Sequence, residues 1–175
     1  PEVTGELGLR ELLFKGKCFL QSETIDPRGR RKTAEKMAIR DLRIDQRRGV
    51  IHGDGPGWLT SVHQGQDMFK EGQFATTPKG LHFLRIDFQQ ELVGSLTGRQ
   101  LEFIGNVRTV YGPVAGWDQV IDVTDSSRLG PQDVVVTSRR LALADMGQTR
   151  DRFDDIELEA TGNAYVRGQT FNASG

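Results

Sequence analysis

A strand phrase that recurs four times along the chain constrains the fold more than any other feature of the sequence. In each copy a segment of alternating apolar residues is followed by a glycine and a polar residue, after which a further strand begins. The copies span 12–19, 50–55, 101–107 and 158–166. A second alternating phrase ends on aspartate and spans 42–45, 84–87 and 141–145. Such a repeat predicts a domain that uses one strand unit more than once. We interpret 1–175 as a single domain with an internal duplication, about 9–58 and 101–168, and bridging strands at 81–96.

Apolar residues recur at every second position of these phrases, which is typical of strands that bury one face. Leu42 and Ile44, for example, lie on one face, and the charged residues beside them lie on the other. One-sided burial favours an antiparallel, all-β arrangement over a parallel sheet covered by helices. The segment 31–43 is the only credible helix, but its alternation favours a strand. Loops are expected over 111–133, with one strand at 120–123.

A glycine in the middle of a strand loses side-chain packing and costs conformational entropy, so its recurrence needs a structural reason. A bulge or sharp bend is the usual one. Asn106 and Asn163, which follow two of the glycines, tolerate the left-handed backbone region that suits such a kink. We therefore expect the sheet to curl into a trough. Its inward apolar face is predicted to comprise Phe14, Leu42, Ile44, Leu84, Ile86, Phe103, Leu143 and Leu158.

The charge balance limits the kinds of partner. The 23 basic and 24 acidic side chains leave a net charge of -1, so nucleic acid is not an expected partner and any charged partner must be met locally. A single cysteine, Cys18, excludes an internal disulfide and a multi-cysteine metal site. No apolar stretch is long enough to span a membrane as a helix. Because the sequence opens and closes abruptly, we expect the native protein to be longer, with a signal or anchor outside this segment.

Two polar groups of residues invite a functional interpretation. The basic residues are Arg28, Arg30, Arg31, Lys32, Arg47 and Arg48. They would suit lipid phosphates, but their acidic neighbours favour a solvated turn. The acidic residues are Asp151, Asp154, Asp155, Glu157 and Glu159. They lack the ligand spacing of a calcium loop and are predicted to form a solvated face.

The sequence predicts neither a metal site nor a catalytic centre. His52, Asp54 and His63 match no standard ligand spacing, so no metal or other cofactor is expected. No nucleophile, base and orienting group occur in a recognisable motif. The chain is therefore expected not to be an enzyme.

Four phrases carry a resemblance to a known family. The phrase at 158–166, continued by Phe171-Asn172-Ala173, and the phrase at 103–107 resemble the units of the organic-solvent-tolerance A / lipopolysaccharide-transport A family (OstA/LptA). In that family a Gly-Asn-Val strand leads to a strand ending in Tyr-Asp. The aspartate phrases at 42–45 and 84–87 are similar to the second strand, with isoleucine in place of tyrosine.

The resemblance implies a folded-over antiparallel β jelly roll that is open at both ends. Its inward apolar face would bind the acyl chains of lipopolysaccharide or a similar lipid, and modules would join end to end in the periplasm on the way to the outer membrane. Burial of acyl chains stabilises such a complex by about 0.8 kcal/mol per methylene. The alternative is an extracytoplasmic scaffold or glycan-binding β domain without a lipid pathway. An inward face that is open to solvent supports the lipid reading, whereas a filled core supports the scaffold.

Overall fold

The computed structural model describes residues 10–65, 80–122, 129–145, 156–168 and 172–175. Over these ranges the chain forms β-strands and no helix, which confirms the predicted all-β class. The strands are β1 (Glu11–Leu13), β2 (Lys17–Ile25), β3 (Arg31–Asp45), β4 (Val50–Gly65), β5 (Gly80–Phe88), β6 (Glu91–Ser95), β7 (Gln100–Val114), β8 (Val134–Asp145), β9 (Ile156–Thr161), β10 (Tyr165–Gly168) and β11 (Asn172–Ser174).

The local predictions have different outcomes. The segment 31–43 lies within β3, as its alternation favoured, and pairs with β2 on one side and β4 on the other. The predicted strand at 120–123 is wrong, because 120–122 belong to no strand; residue 123 lies outside the described residues. Ile121 instead packs its side chain against the sheet. Residues 61–65 continue β4, and 66–79 lie outside the described residues.

All eleven strands belong to one antiparallel sheet. The long strands β3, β4, β7 and β8 cross the whole sheet, whereas the others occupy only part of its height. This divides the sheet into two halves, which we call wings. Wing 1 comprises β1, β6 and β9 with the adjoining 43–45, 50–54, 100–104 and 140–145. Wing 2 comprises β2, β5, β10 and β11 with 31–40, 57–65, 107–114 and 134–138.

The boundary between the wings coincides with three of the four recurring glycines; the fourth, Gly53, has no left-handed φ and pairs with Leu92 inside wing 1. Gly16, Gly105 and Gly162 have φ angles of 83°, 88° and 77°, in the left-handed region that glycine adopts without steric cost. Asn106 and Asn163 follow with φ angles of 46° and 57°, which confirms the predicted left-handed kinks. The strand ladder shifts register at the same level of β3 and β7. Glycine and asparagine therefore mark the line along which the sheet changes direction.

Hydrogen bonds satisfy the backbone groups along this boundary. Asp41, with φ of 49°, donates its N–H to the Gly16 carbonyl at 2.9 Å and accepts the Gly16 N–H on Oδ1 at 2.8 Å. On the other side of the sheet, Arg139 donates its N–H to the Gly162 carbonyl at 2.9 Å. A bend with paired polar groups avoids the penalty for buried, unsatisfied backbone. The pair of hydrogen bonds between Asp41 and Gly16 was not predicted from the sequence.

Both wings contribute to one hydrophobic core, here called the shared core. Its buried members are Ile39, Leu42, Leu84, Ile86, Phe88, Leu92, Phe103, Val107, Tyr111 and Leu141. Phe88 of wing 2 and Phe103 of wing 1 pack with ring centroids 5.5 Å apart. A Cβ atom on Gly53 of wing 1 would collide with the Ile39 side chain of wing 2. The inner faces of the wings thus meet in one packed interior.

A second hydrophobic cluster covers the outer face of wing 2. Its buried members are Val62, Phe83, Val110, Val114, Leu129 and Val135, and Trp117 and Ile121 pack against it. Leu129, Trp117 and Ile121 belong to the connection between β7 and β8. The prediction that strands bury one side only is therefore wrong for β5, where the neighbours Phe83 and Leu84 are both buried. The connection supplies a layer that the strand pattern does not reveal.

The outer face of wing 1 is polar. Arg43 pairs with Glu11, and Arg140 pairs with Glu102 through both carboxylate oxygens. His52 Nε2 lies 3.2 Å from Glu91 Oε2. Exposed pairs of this kind contribute little to stability, but they keep this face hydrated.

Candidate functional site

The predicted inward residues mostly meet in the shared core. Leu42, Leu84, Ile86 and Phe103 are buried members, and Ile44, Leu143 and Leu158 are partly buried against them. Phe14 is not part of this core, and 42% of its surface is exposed. It lies in the link between β1 and β2, just before the left-handed Gly16, where the backbone leaves the regular alternation.

The centre of the shared core is filled. Leu42, Ile86 and Phe103 each have 0% of their surface exposed. Exposure rises toward the edges of the sheet, where Leu20 on β2 and Leu158 on β9 are only partly buried. Solvent therefore reaches the apolar interior from its two ends, beside the edge strands, and the middle is packed.

The inner face of wing 2 becomes polar toward the end that is remote from the boundary. Thr33, His63 and His82 lie directly opposite one another on β3, β4 and β5, and all three are buried. The His63 and His82 rings stack with centroids 5.9 Å apart. The Tyr111 hydroxyl forms a hydrogen bond with His82 Nδ1 at 2.8 Å, and the two rings are nearly parallel. These contacts fix a ladder of polar rings beside the apolar core.

Glu35 lies on the same face of β3 as Thr33, opposite Ser61 on β4. Burial raises the pKa of its carboxyl group, because desolvation disfavours the charged form. Sequence reasoning missed this polar end. The alternation of β5 indicates it at one residue: His82 lies two positions before Leu84, so its side chain is expected on the same inward face.

The structure separates the residues considered for metal binding. His52 lies on the outer face of wing 1 beside Glu91, whereas His63 lies on the inner face of wing 2. Among the described residues, no group of three or more histidine, cysteine, aspartate or glutamate side chains has the geometry to hold a metal ion. Glu157 and Glu159 are exposed on β9, as predicted for a solvated face. The other members of the acidic run, 151–155, lie outside the described residues.

The predicted basic group divides between two turns at opposite ends of β3. Arg30 and Arg31 pair with Asp26 and Glu23 beside the turn between β2 and β3. Hydrogen bonds from Arg30, chiefly from its backbone N–H, lower the pKa of Asp26. These pairs agree with a solvated turn. Arg47 and Arg48 lie in the turn between β3 and β4.

Comparison with known proteins assigns neither a family nor a function. No family model matches the sequence, and neither a curated protein nor a solved structure matches it. The resemblance to the OstA/LptA family therefore stays a prediction based on its strand phrases. Among the described residues, no helix is long and apolar enough to cross a membrane.

Proposed function

We propose that this chain is a non-enzymatic lipid-binding module of OstA/LptA type. Its bent sheet would be the folded-over β jelly roll of that family, and acyl chains of lipopolysaccharide or a similar glycolipid would bind between the wings. The site would work in the periplasm, in transport toward the outer membrane. The observation that carries the proposal is the convergence of Leu42, Ile86 and Phe103, from three separate phrases, on one apolar interior between the wings.

The two ends of the interior are the suggested points of lipid entry. Leu20 at the β2 end and Leu158 at the β9 end are apolar, inward-facing and only partly buried. An acyl chain that covers them removes apolar surface from water at about 25 cal/mol per Å². Entry further inward requires the wings to separate at the filled centre, at a cost in packing that the lipid must offset.

The same ends carry sheet edges that suit assembly. β2 pairs only with β3, and β9 pairs only with β8, so each has one side without a strand partner among the described residues. Unpaired strand edges accept a further strand through backbone hydrogen bonds. Pairing of a β9 edge with a β1 or β2 edge of another copy, or of a related β module, would give an end-to-end assembly with a continuous interior.

A second candidate function is favoured by the filled centre. Complete burial of Leu42 and Phe103 is the state expected of a scaffold domain that binds no lipid. Such a domain would use its outer surfaces to hold a glycan or another protein. The two functions differ in whether anything enters between the wings.

Lipid capture by a photo-crosslinking residue tests the proposal. The crosslinker replaces Leu158, and the matched control carries it at Glu157, the adjacent residue on the same strand that faces outward. Native mass spectrometry of the protein purified from its host is expected to show an acylated lipid, and irradiation is expected to attach that lipid at 158 but not at 157. Absence of retained lipid together with absence of a lipid adduct at 158 would leave the scaffold function.

A further inference from the structure

Two neighbouring turns lie at the end of wing 1 that is remote from the boundary. The turn between β3 and β4 spans 46–49, and the turn between β6 and β7 spans 96–99. Leu96 donates its N–H to the Gly49 carbonyl at 2.7 Å, and the Thr97 side chain lies against Gly49. The two turns are therefore held side by side and present one surface, which we call the turn tip.

The turn tip exposes apolar side chains. Leu96 is 45% exposed, and Val50, the first residue of β4, is 43% exposed. Single exposed apolar residues are ordinary, but Leu96 lies in one of the two turns and Val50 directly follows the other, at the end of the sheet. Side chains in such a position can enter an apolar phase without disturbing the strands behind them.

Basic side chains lie around Val50. Arg43, Arg48 and His52 line a cavity of about 330 Å³ together with Asp45 and Val50. The Arg48 side chain is 78% exposed, and its contact with Asp45 is long at 3.8 Å. Arg47 is exposed beside it. The Asp45 carboxylate accepts a hydrogen bond from the Arg48 backbone N–H at 2.9 Å and thereby stabilises the turn.

The acidic residues nearest the turn tip are already engaged: Glu11 pairs with Arg43, Glu91 lies beside His52, and Asp45 accepts the Arg48 backbone N–H. The acidic residues of β9 lie farther away. Glu157 and Glu159 are on β9, four strand positions from β4 in the order β4, β6, β7, β8, β9. At about 4.8 Å per strand the separation is roughly 19 Å, against a screening length of about 8 Å at physiological salt. Among the described residues, Arg47 and Arg48 therefore give the turn tip a local positive field, although the net charge of the chain is only -1.

From this juxtaposition we propose that the turn tip docks on the surface of an anionic lipid bilayer. Leu96 and Val50 enter the boundary between headgroups and acyl chains, while Arg47 and Arg48 contact lipid phosphates. A water-soluble polyanion would use the arginines but would gain nothing from the two apolar side chains, so the bilayer is the better fit. The proposal concerns the outer surface and does not depend on acyl-chain binding between the wings.

Sedimentation with lipid vesicles tests the docking proposal. We expect the protein to bind vesicles of mixed phosphatidylcholine and phosphatidylglycerol, to bind phosphatidylcholine vesicles weakly, and to lose binding as salt rises. Each arginine near an anionic surface contributes about 1 kcal/mol, which is roughly fivefold in affinity. The double variant R47A/R48A is thus expected to bind about 25-fold more weakly. Leu96→Ser is expected to weaken binding severalfold at every salt concentration.

The matched control is R28A/R30A in the turn between β2 and β3, at the opposite end of β3. It removes the same number of charges but leaves the turn tip intact. All of these side chains are exposed, so thermal melts are expected to show that each variant stays folded. Equal binding to neutral vesicles, no binding to anionic vesicles, or equal losses in the R47A/R48A and R28A/R30A variants would overturn the proposal. Loss of docking with retained crosslinking at 158 would leave the lipid-binding function standing.

Discussion

Wing 1 and wing 2 share four continuous strands yet bury different numbers of faces. Among the described residues, wing 1 packs only its inner face, and its outer face carries ion pairs such as Arg140 with Glu102. Wing 2 packs its inner face against wing 1 and its outer face under the connection between β7 and β8. The difference therefore originates both in the strands, which carry apolar outward residues such as Phe83 and Val110 in wing 2, and in the connection that covers them. It indicates that wing 2 holds its shape by itself more firmly, whereas wing 1 depends on the shared core.

The largest expected effect is on the shared core. Phe103→Ala removes a ring that is completely buried between the wings, and it is expected to cost about 3–5 kcal/mol in the free energy of unfolding. Urea denaturation measures this loss. Phe14→Ala, at the position that lies outside the core, is expected to cost less than about 0.5 kcal/mol. Equal losses would mean that the wings do not share a packed interior.

The same substitution on the two outer faces tests the contrast directly. Val110→Ala acts on wing 2, where Val110 is completely buried in the outer cluster, and is expected to cost about 2 kcal/mol. Val93→Ala acts on the hydrated outer face of wing 1, where Val93 is only partly buried between His52 and Glu102. Its expected cost is below about 1 kcal/mol. Chemical denaturation of both variants decides whether only wing 2 has a covered outer face.

The boundary between the wings can be tested at its glycines. Gly105→Ala forces a side chain into the left-handed region and against Gln90, at an expected cost of about 1–2 kcal/mol. Gly116→Ala is the control, because Gly116 has no positive φ and a Cβ there would meet nothing. A thermal melt of the control is expected to match that of the parent protein. A neutral Gly105→Ala would show that the bend does not require this conformation.

The smallest expected effect concerns the polar end of wing 2. Burial raises the folded-state pKa of Glu35, because the charged carboxylate is disfavoured inside the fold. The contribution of Glu35 to folding stability is therefore most favourable at acid pH, where the carboxyl is neutral, and is lost as the pH rises through the folded-state pKa. Glu35→Gln removes the charge and is expected to raise the unfolding temperature at neutral pH by no more than about 4 °C. The gain should vanish below about pH 4, where the unfolded carboxyl is protonated as well. A pH-independent gain in the Glu35→Gln variant would contradict the burial of the Glu35 charge.

Strand alternation predicted much of the inner face. Leu42, Ile86 and Phe103 were assigned inward from period two alone, and they meet in the core because that period places every second side chain on one face. Phe14 was misplaced because alternation fails where the backbone turns at Gly16. The polar ladder of His63 and His82 was missed because its partners are distant in sequence and come together only through strand register.

The sequence by itself determined the all-β class, the phase of the inward residues and the positions of the bends. Each of these follows from local rules: side chains alternate along a strand, and glycine or asparagine accepts positive φ where other residues are strained. The tertiary structure alone decided that the interior is filled at its centre, that wing 2 is covered on both faces and that Leu96 lies beside Gly49 at one tip. Those features depend on which strands become neighbours and where a connection packs, and such long-range contacts leave no mark on the local pattern of residues.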